Sequence, residues 1–270
     1  MANLNDGGAV LNALIELVRQ VARQEAMPRF LRVRRELKDD GTLFSEADLA
    51  VQRALVDRLL EIRQAPIIGE EMTAAEQQAA WDADADGLWC IDPIDGTTNF
   101  INGLPLFAIS VAWLCGGKAR LGVTYNPVTD EMFYARDGGG AYLNGQRLPL
   151  RTSTHEISRG VANIDFKRTP KAIADRIALD PPFYSQRNLG TSTLEWCYLA
   201  AGRLDLFVHG GQRLWDYAAG RVMLAEAGGF VCTLDCDDFD AAPPWQRSVV
   251  AALDPAVFAA WRTWLRETAG

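Results

Sequence analysis

Acidic residues stand where apolar runs end. In WCIDPIDGTTNF, residues 89–100, Asp92 and Asp95 lie three apart behind an apolar run and ahead of Gly96-Thr97-Thr98. Glu70 closes the run IIGE, and Asp216 opens the helical pattern WDYAAGRVMLAEAG. Burying like charges together costs several kcal/mol each unless something compensates, so a cation is expected between them. The carbonyl of Ile94 adds an oxygen donor between the two aspartates. No histidine adjoins them, and all-oxygen ligation selects Mg²⁺, Mn²⁺ or Ca²⁺ over zinc or copper. Gly96 lets backbone approach a ligand closely, and the amides that follow can open a helix as an anion site. Carboxylates that hold cations beside amides that hold an anion suit a phosphate ester. Two metals roughly 3.5–4 Å apart can activate a water and neutralise the leaving oxygen. Taken singly, each segment has a plainer explanation. DPIDGT can be a capping turn, Glu70 a solvated strand end, and Asp216 or Gly190-Thr191-Ser192 an N-cap. Their joint occurrence favours a site.

The elements that position these groups follow from periodicity. Apolar residues from Val10 to Ala22 keep helical spacing within 8–30. KDDGTLFSEAD, 38–48, reads as a polar loop, and a helix follows through Leu60, with Ser45 and Asp48 at its N-terminal turn. Pro66–Gly69 and 88–91 read as short buried strands, and TAAEQQAAWDADADG as a solvent-facing connector. Between 105 and 150, β-branched and aromatic segments alternate with turns, and Asn144-Gly145 marks a hairpin. That is an antiparallel meander. Beyond 155 strands and helices alternate: LEWCYLAAG helix, LDLFVH strand, WDYAAGRVMLAEAG helix, FVCTL and RSVVAAL strands, and a final amphipathic helix. The expectation is an α+β half over 1–150 and an α/β half over 151–270, packed as alternating layers of helix and sheet.

The bulk numbers bound the function. The chain has 270 residues, 49% of them hydrophobic, and a formal charge of −8, enough for a substantial core. The acidic balance argues against nucleic acid as a partner. No apolar run reaches the roughly 20 residues that span a bilayer, and the start lacks a signal-peptide layout. The five scattered cysteines read as reduced residues of a cytoplasmic protein.

With those residues in place, the chain resembles the inositol monophosphatase family, lithium-sensitive, Mg²⁺-dependent phosphomonoesterases. IIGEEM, WCIDPIDGTTNFINGLP and LWDYAAGRVMLAEAGG carry the likeness, and RNLGTSTLEWCYLAAGRLD carries it less tightly. The resemblance implies an αβαβα sandwich, often dimeric, and two or three Mg²⁺ ions. Mn²⁺ can replace them, and Ca²⁺ and Li⁺ inhibit. It implies one metal on Glu70, Asp92 and the Ile94 carbonyl, a second on Asp92, Asp95 and Asp216, and a weaker third reached by Glu70. The amides of Gly96 and Thr97 would hold phosphate, and Thr97 with Asp48 would orient the attacking water. Substrate contacts are expected from Asp95, Gly96, Thr97, Gly190, Thr191, Ser192, His209 and Asp216.

The chain departs from the family at three places. The loop has Phe44-Ser45 where relatives often carry Val-Thr, though it keeps Lys38 and Asp48. Ser192 stands where a small apolar residue is common. His209 stands seven residues before Asp216, where inositol phosphatases place a glutamate that contacts substrate hydroxyls. A neutral imidazole cannot accept two hydroxyl bonds as a carboxylate does, but it suits a second anionic or base-like group. The substrate is therefore expected to be a small polyol or sugar phosphate such as inositol 1-phosphate. Histidinol phosphate, 3′-phosphoadenosine 5′-phosphate and fructose 1,6-bisphosphate are alternatives. A regulatory protein without turnover and a Ca²⁺-stabilised structural domain are readings of other classes.

Overall fold

The computed structural model describes residues 7–32, 36–37, 43–44, 46–84 and 86–269. Lys38, the Asp40-Gly41-Thr42 run and Ser45 fall outside the described residues. Helix α1 (Gly7–Val21) runs on into a π-helical turn, and a short ribbon, β1 (Glu36–Leu37) with β2 (Leu43–Phe44), precedes α2 (Glu46–Ile62). Then come β3 (Ile67–Gly69), α3 (Ala74–Asp82), β4 (Leu88–Asp95) and α4 (Thr97–Asn102). The meander follows as β5 (Ala108–Cys115), β6 (Lys118–Asn126), β7 (Glu131–Arg136), β8 (Gly140–Leu143) and β9 (Gln146–Arg147). The second half runs β10 (Val161–Ile164), α5 (Lys171–Leu179), β11 (Ser185–Arg187), α6 (Ser192–Ala200), β12 (Leu206–Gln212) and α7 (Leu214–Glu226). It ends with β13 (Phe230–Cys232), β14 (Arg247–Ala252) and α8 (Pro255–Ala269).

Seven strands pair in chain order from β3 to β9, with only β3 and β4 parallel. Asn144 and Gly145 both take positive φ in the β8–β9 hairpin, as a type I′ turn demands. Five strands form the second sheet in the order β11-β10-β12-β14-β13, parallel on its β11-β10-β12 side. Side-chain alternation assigns the faces. Trp89 and Ile91 of β4 pack with Leu14 and Val18 of α1 and Leu55 of α2. Leu88 and Cys90 turn the other way, toward Leu194 of α6 and Ala218 of α7. Phe207 of β12 meets that same helix layer, while Leu206 and Val208 face Ile173 of α5 and Trp261 of α8. The order α/β/α/β/α is the expected sandwich, with α6 and α7 as its middle layer.

Two expectations need correcting. Residues 74–82 are a helix, not a connector. It starts with a capping box, in which Thr73 and Glu76 bond each other's backbone amides. Gln77 is its one buried residue, so it has no apolar stripe for periodicity to reveal. Strand β4 also does not stop at residue 91 but continues to Asp95, buried throughout.

Helix α7 reaches the first sheet because small residues line the contact. A Cβ added at Gly122 of β6 would stand 2.7 Å from the Ala219 Cα. Backbone meets backbone there, so Gly122→Ala must push α7 away. The expected loss is about 1–3 kcal/mol in denaturant unfolding, with Asp216 displaced and activity lost beyond what stability explains. Unchanged stability would show that the contact is not tight.

Candidate functional site

A regular strand sends residues three apart to opposite faces. Asp92 and Asp95 nevertheless share one, because β4 carries an irregularity between them. Asp92 pairs with Ser110, while Asp95 pairs with Ala108. Three steps on β4 match two on β5, so one extra residue is inserted and Ile94 drops into the core on the α1–α2 side. Both acids then face α7, whose first turn supplies Asp216. Carboxylate oxygens of Asp92, Asp95 and Asp216 all lie within 4.8 Å of one another.

Each acid is held differently. Asp216 Oδ2 accepts the Arg213 backbone N–H at 2.8 Å. Asp95 accepts the Thr191 hydroxyl at 2.5 Å, the Thr193 amide and hydroxyl at 2.7 Å each, and the Ser192 amide at 3.2 Å. It thus serves as the N-cap of α6 from another part of the chain. Asp92 is 1% exposed, and its Oδ1 has no hydrogen-bond partner among the described residues. A buried carboxylate oxygen without a donor, beside two further carboxylates, suits a divalent cation.

The electrostatics agree. Burial, then the charges of Glu70, Asp95, Asp216 and Asp48, push the Asp92 carboxyl well above its ordinary value. Burial raises Asp95 despite its four donors. Asp216 is pushed up to about 7 by burial and then by Asp95. Glu70 is half-buried just beyond β3, and Asp48 is buried in the first turn of α2, so five acids influence one point.

The glycine turn into α4 lies directly beyond. Gly96 takes φ +85°, and a Cβ there would stand 3.0 Å from the Leu106 carbonyl oxygen, so only glycine turns the chain from β4 into α4 without strain. Thr97 Oγ1 lies 3.3 Å from Asp48 Oδ1 and 3.1 Å from the Ile94 carbonyl oxygen. Asn99 Nδ2 donates to the Leu106 and Leu189 carbonyls at 2.7 and 2.8 Å, fastening α4 to the loop before α6.

Not every expected contact residue turns to the opening. Gly190 is exposed with φ +68°, and Ser192 is half-buried. Thr191 is buried with its hydroxyl on Asp95. His209 is 2% exposed, and both its ring nitrogens face protein atoms. Three groups near the acids were not singled out from sequence. Thr193 gives Asp95 two donors. Glu195 is buried and pushed up to about 8 by burial and by Asp95. Asp165 follows β10, a strand too short to stand out. The Thr191-Ser192-Thr193 run was the legible signal for the first.

The chain matches the model of the inositol monophosphatase family over residues 8–266. It is 32% identical over 235 residues to an inositol-1-monophosphatase of Mesorhizobium japonicum, covering 84% of this chain and 86% of that one. It is 38% identical over 192 residues to a fructose-1,6-bisphosphatase/inositol-1-monophosphatase of Thermotoga maritima, covering 70% of each. Among solved structures, a Thermotoga maritima IMPase superposes with TM-score 0.82 at 30% identity, over 96% of this chain and 97% of that one.

The raised carboxyls set a pH dependence. Their protons are bound more tightly in the folded than in the unfolded chain, so without a cation, stability falls as pH rises from about 4 toward 7. A cation bound there would replace those protons. The melting temperature with Mg²⁺ should exceed that in EDTA by roughly 5 °C at pH 7.5, with little difference at pH 5. A gap that is absent, or wider at pH 5, would contradict the site.

Proposed function

The chain belongs to the inositol monophosphatase family and is a phosphoric monoester hydrolase, and from that premise we propose a Mg²⁺-dependent enzyme acting on a small polyol or sugar phosphate such as inositol 1-phosphate. The observation that carries this reading is the Asp92–Asp95–Asp216 triad around the partnerless Asp92 oxygen. Glu70, Asp92 and the Ile94 carbonyl would hold one ion, and Asp92, Asp95 and Asp216 a second, with Glu70 within reach of a third. Mn²⁺ would substitute, and Ca²⁺ and Li⁺ would inhibit. Bound there, the ions supply Lewis acidity toward water and the phosphoryl oxygens.

The residues of the chain orient the rest. Thr97 Oγ1 sits between Asp48 Oδ1 and the Ile94 carbonyl. A hydroxyl that donates to Asp48 turns its lone pairs outward, where they accept from the attacking water and fix its direction. The positive φ of Gly96 aims the backbone amides of the β4–α4 turn at the phosphate. Asp95 stays rigid because four donors hold it, which keeps the acid spacing constant through a turnover. Residues 1–150 supply most of these groups, and residues 151–270 supply Asp216 and the substrate edge with Gly190 and Ser192.

Among the described residues no helix is long and apolar enough to cross a membrane. A cytoplasmic homodimer accords with the family resemblance and with five free cysteines.

Phosphate release with and without Mg²⁺ tests the reading, across inositol 1-phosphate, histidinol phosphate, 3′-phosphoadenosine 5′-phosphate, fructose 1,6-bisphosphate and glycerol 2-phosphate. Mg²⁺-dependent turnover led by a polyol or sugar phosphate is expected. Bound metal without turnover would favour the regulatory alternative. Asp95→Asn keeps one oxygen for Thr191 and Thr193 but sets an NH2 against the Ser192 amide; relieved carboxylate repulsion offsets that lost bond, so the melting curve should change little while kcat falls by roughly 100-fold or more. An active Asp95→Asn enzyme would overturn the ligand assignment.

A further inference from the structure

Glu70 is placed independently of the three aspartates. Its carboxylate is not among the oxygens of Asp92, Asp95 and Asp216 that lie within 4.8 Å of one another. Its charge is nevertheless the first to act on Asp92 after burial. What sets Glu70 is the turn of residues 69–72 at the end of β3, closed by the Met72 amide on the Gly69 carbonyl at 3.3 Å.

Two glutamines from two different helices grip that turn. Gln77 of α3 donates its Nε2 to the Gly69 carbonyl at 2.9 Å and to the Met72 carbonyl at 3.1 Å. Two carbonyl acceptors require an amide nitrogen at that point, which fixes the orientation of the side chain. Gln52 of α2 accepts the Glu71 amide on its Oε1 at 3.2 Å. A Cβ on Gly69 would stand 2.6 Å from that same oxygen, so the glycine is what admits Gln52 to the turn. The bonds fall on residues 69, 71 and 72. The backbone that carries Glu70 is therefore held both before and after it.

The packing of α3 agrees. Gln77 is the one buried residue of that helix, at 8% exposure. Ala80 and Trp81 anchor the far end against the core. A cavity of about 200 Å³ lies between Ala74, Gln77 and Gln78 at the start of α3 and Arg213, Trp215 and Trp245. Apolar contact is thus sparse at the start of the helix. A buried amide persists where hydrogen bonds offset its desolvation, and both bonds from this nitrogen go to the turn.

We propose that Gln77, with Gln52 on the other side, is a positioning residue that fixes Glu70 and so sets the affinity for the cation that Glu70 holds. Among the described residues neither glutamine bonds to Asp92, Asp95 or Asp216, so the aspartate triad is untouched by a change at either. The inference rests on the cation placed at Glu70 in the reading above.

The test is Gln77→Met, which keeps the length and bulk of the side chain and removes the donor, so the fold should survive. Mg²⁺ binding to the full-length protein is followed by titration calorimetry, beside the melting temperature in EDTA and the kinetics on inositol 1-phosphate. The affinity for one Mg²⁺ should fall roughly tenfold, and the Mg²⁺ concentration for half-maximal activity should rise in step. At saturating Mg²⁺, kcat and KM should stay within about twofold, and the melting temperature in EDTA should change little. Gln52→Met should act in the same direction. A lower melting temperature in EDTA with unchanged Mg²⁺ affinity would make Gln77 a purely structural residue and overturn the proposal, as would unchanged values throughout. Calorimetry needs no turnover, so failure of the phosphatase reading leaves this test standing. A wild-type chain that binds no Mg²⁺ would overturn both.

Discussion

Like charges must be held within a few ångströms of each other inside a folded protein, and one residue bears most of that constraint. Asp95 accepts four hydrogen bonds from Thr191, Ser192 and Thr193. Those donors are the start of α6, so the cap that satisfies the helix also satisfies the carboxylate. Asp95 belongs to the first sheet and α6 to the middle layer. The bond set therefore ties the element that carries two acids to the layer that brings the third. Without it, Asp95 would face Asp92 and Asp216 with only solvent to offset repulsion. Oδ1 of Asp92 has no hydrogen-bond partner among the described residues, so the repulsion of the cluster is least offset there.

Two features of the backbone make that arrangement reachable. The irregularity in β4 puts residues three apart on one face, and the small residues at Gly122 and Ala219 let α7 settle against the sheet. Gly220 does the same on the α6 side, where an added Cβ would lie 2.3 Å from the Trp196 Cβ. The middle helices are thus pressed against each other and against the first sheet at glycine positions. Asp216 inherits its place from that packing, and no flexible loop intervenes.

Much of this was readable from the sequence, for reasons that differ by element. The meander was legible because β-branched alternation and Asn144-Gly145 act locally. The acids of DPIDGT were legible as a set because apolar flanks leave them few other uses. Their common face was not, since strict alternation predicts opposite faces and only the inserted residue restores a shared one. Helix α3 escaped notice because its signal was a capping box and not a hydrophobic stripe. His209 was legible as a departure, but its engaged state was not. That depends on Gly211 and Asp165, which reach it through a register shift and a neighbouring strand.

The division of labour follows from the layers. Charge-holding groups lie on the first sheet, on α2 and on the starts of α6 and α7, all packed at close range. Asp165 and His209, on the second sheet and the loop after β10, are not among the donors that hold Asp95. The members of the acid cluster are instead positioned by backbone that the core already fixes: the irregular end of β4 sets Asp92 and Asp95, and the first turn of the closely packed α7 sets Asp216.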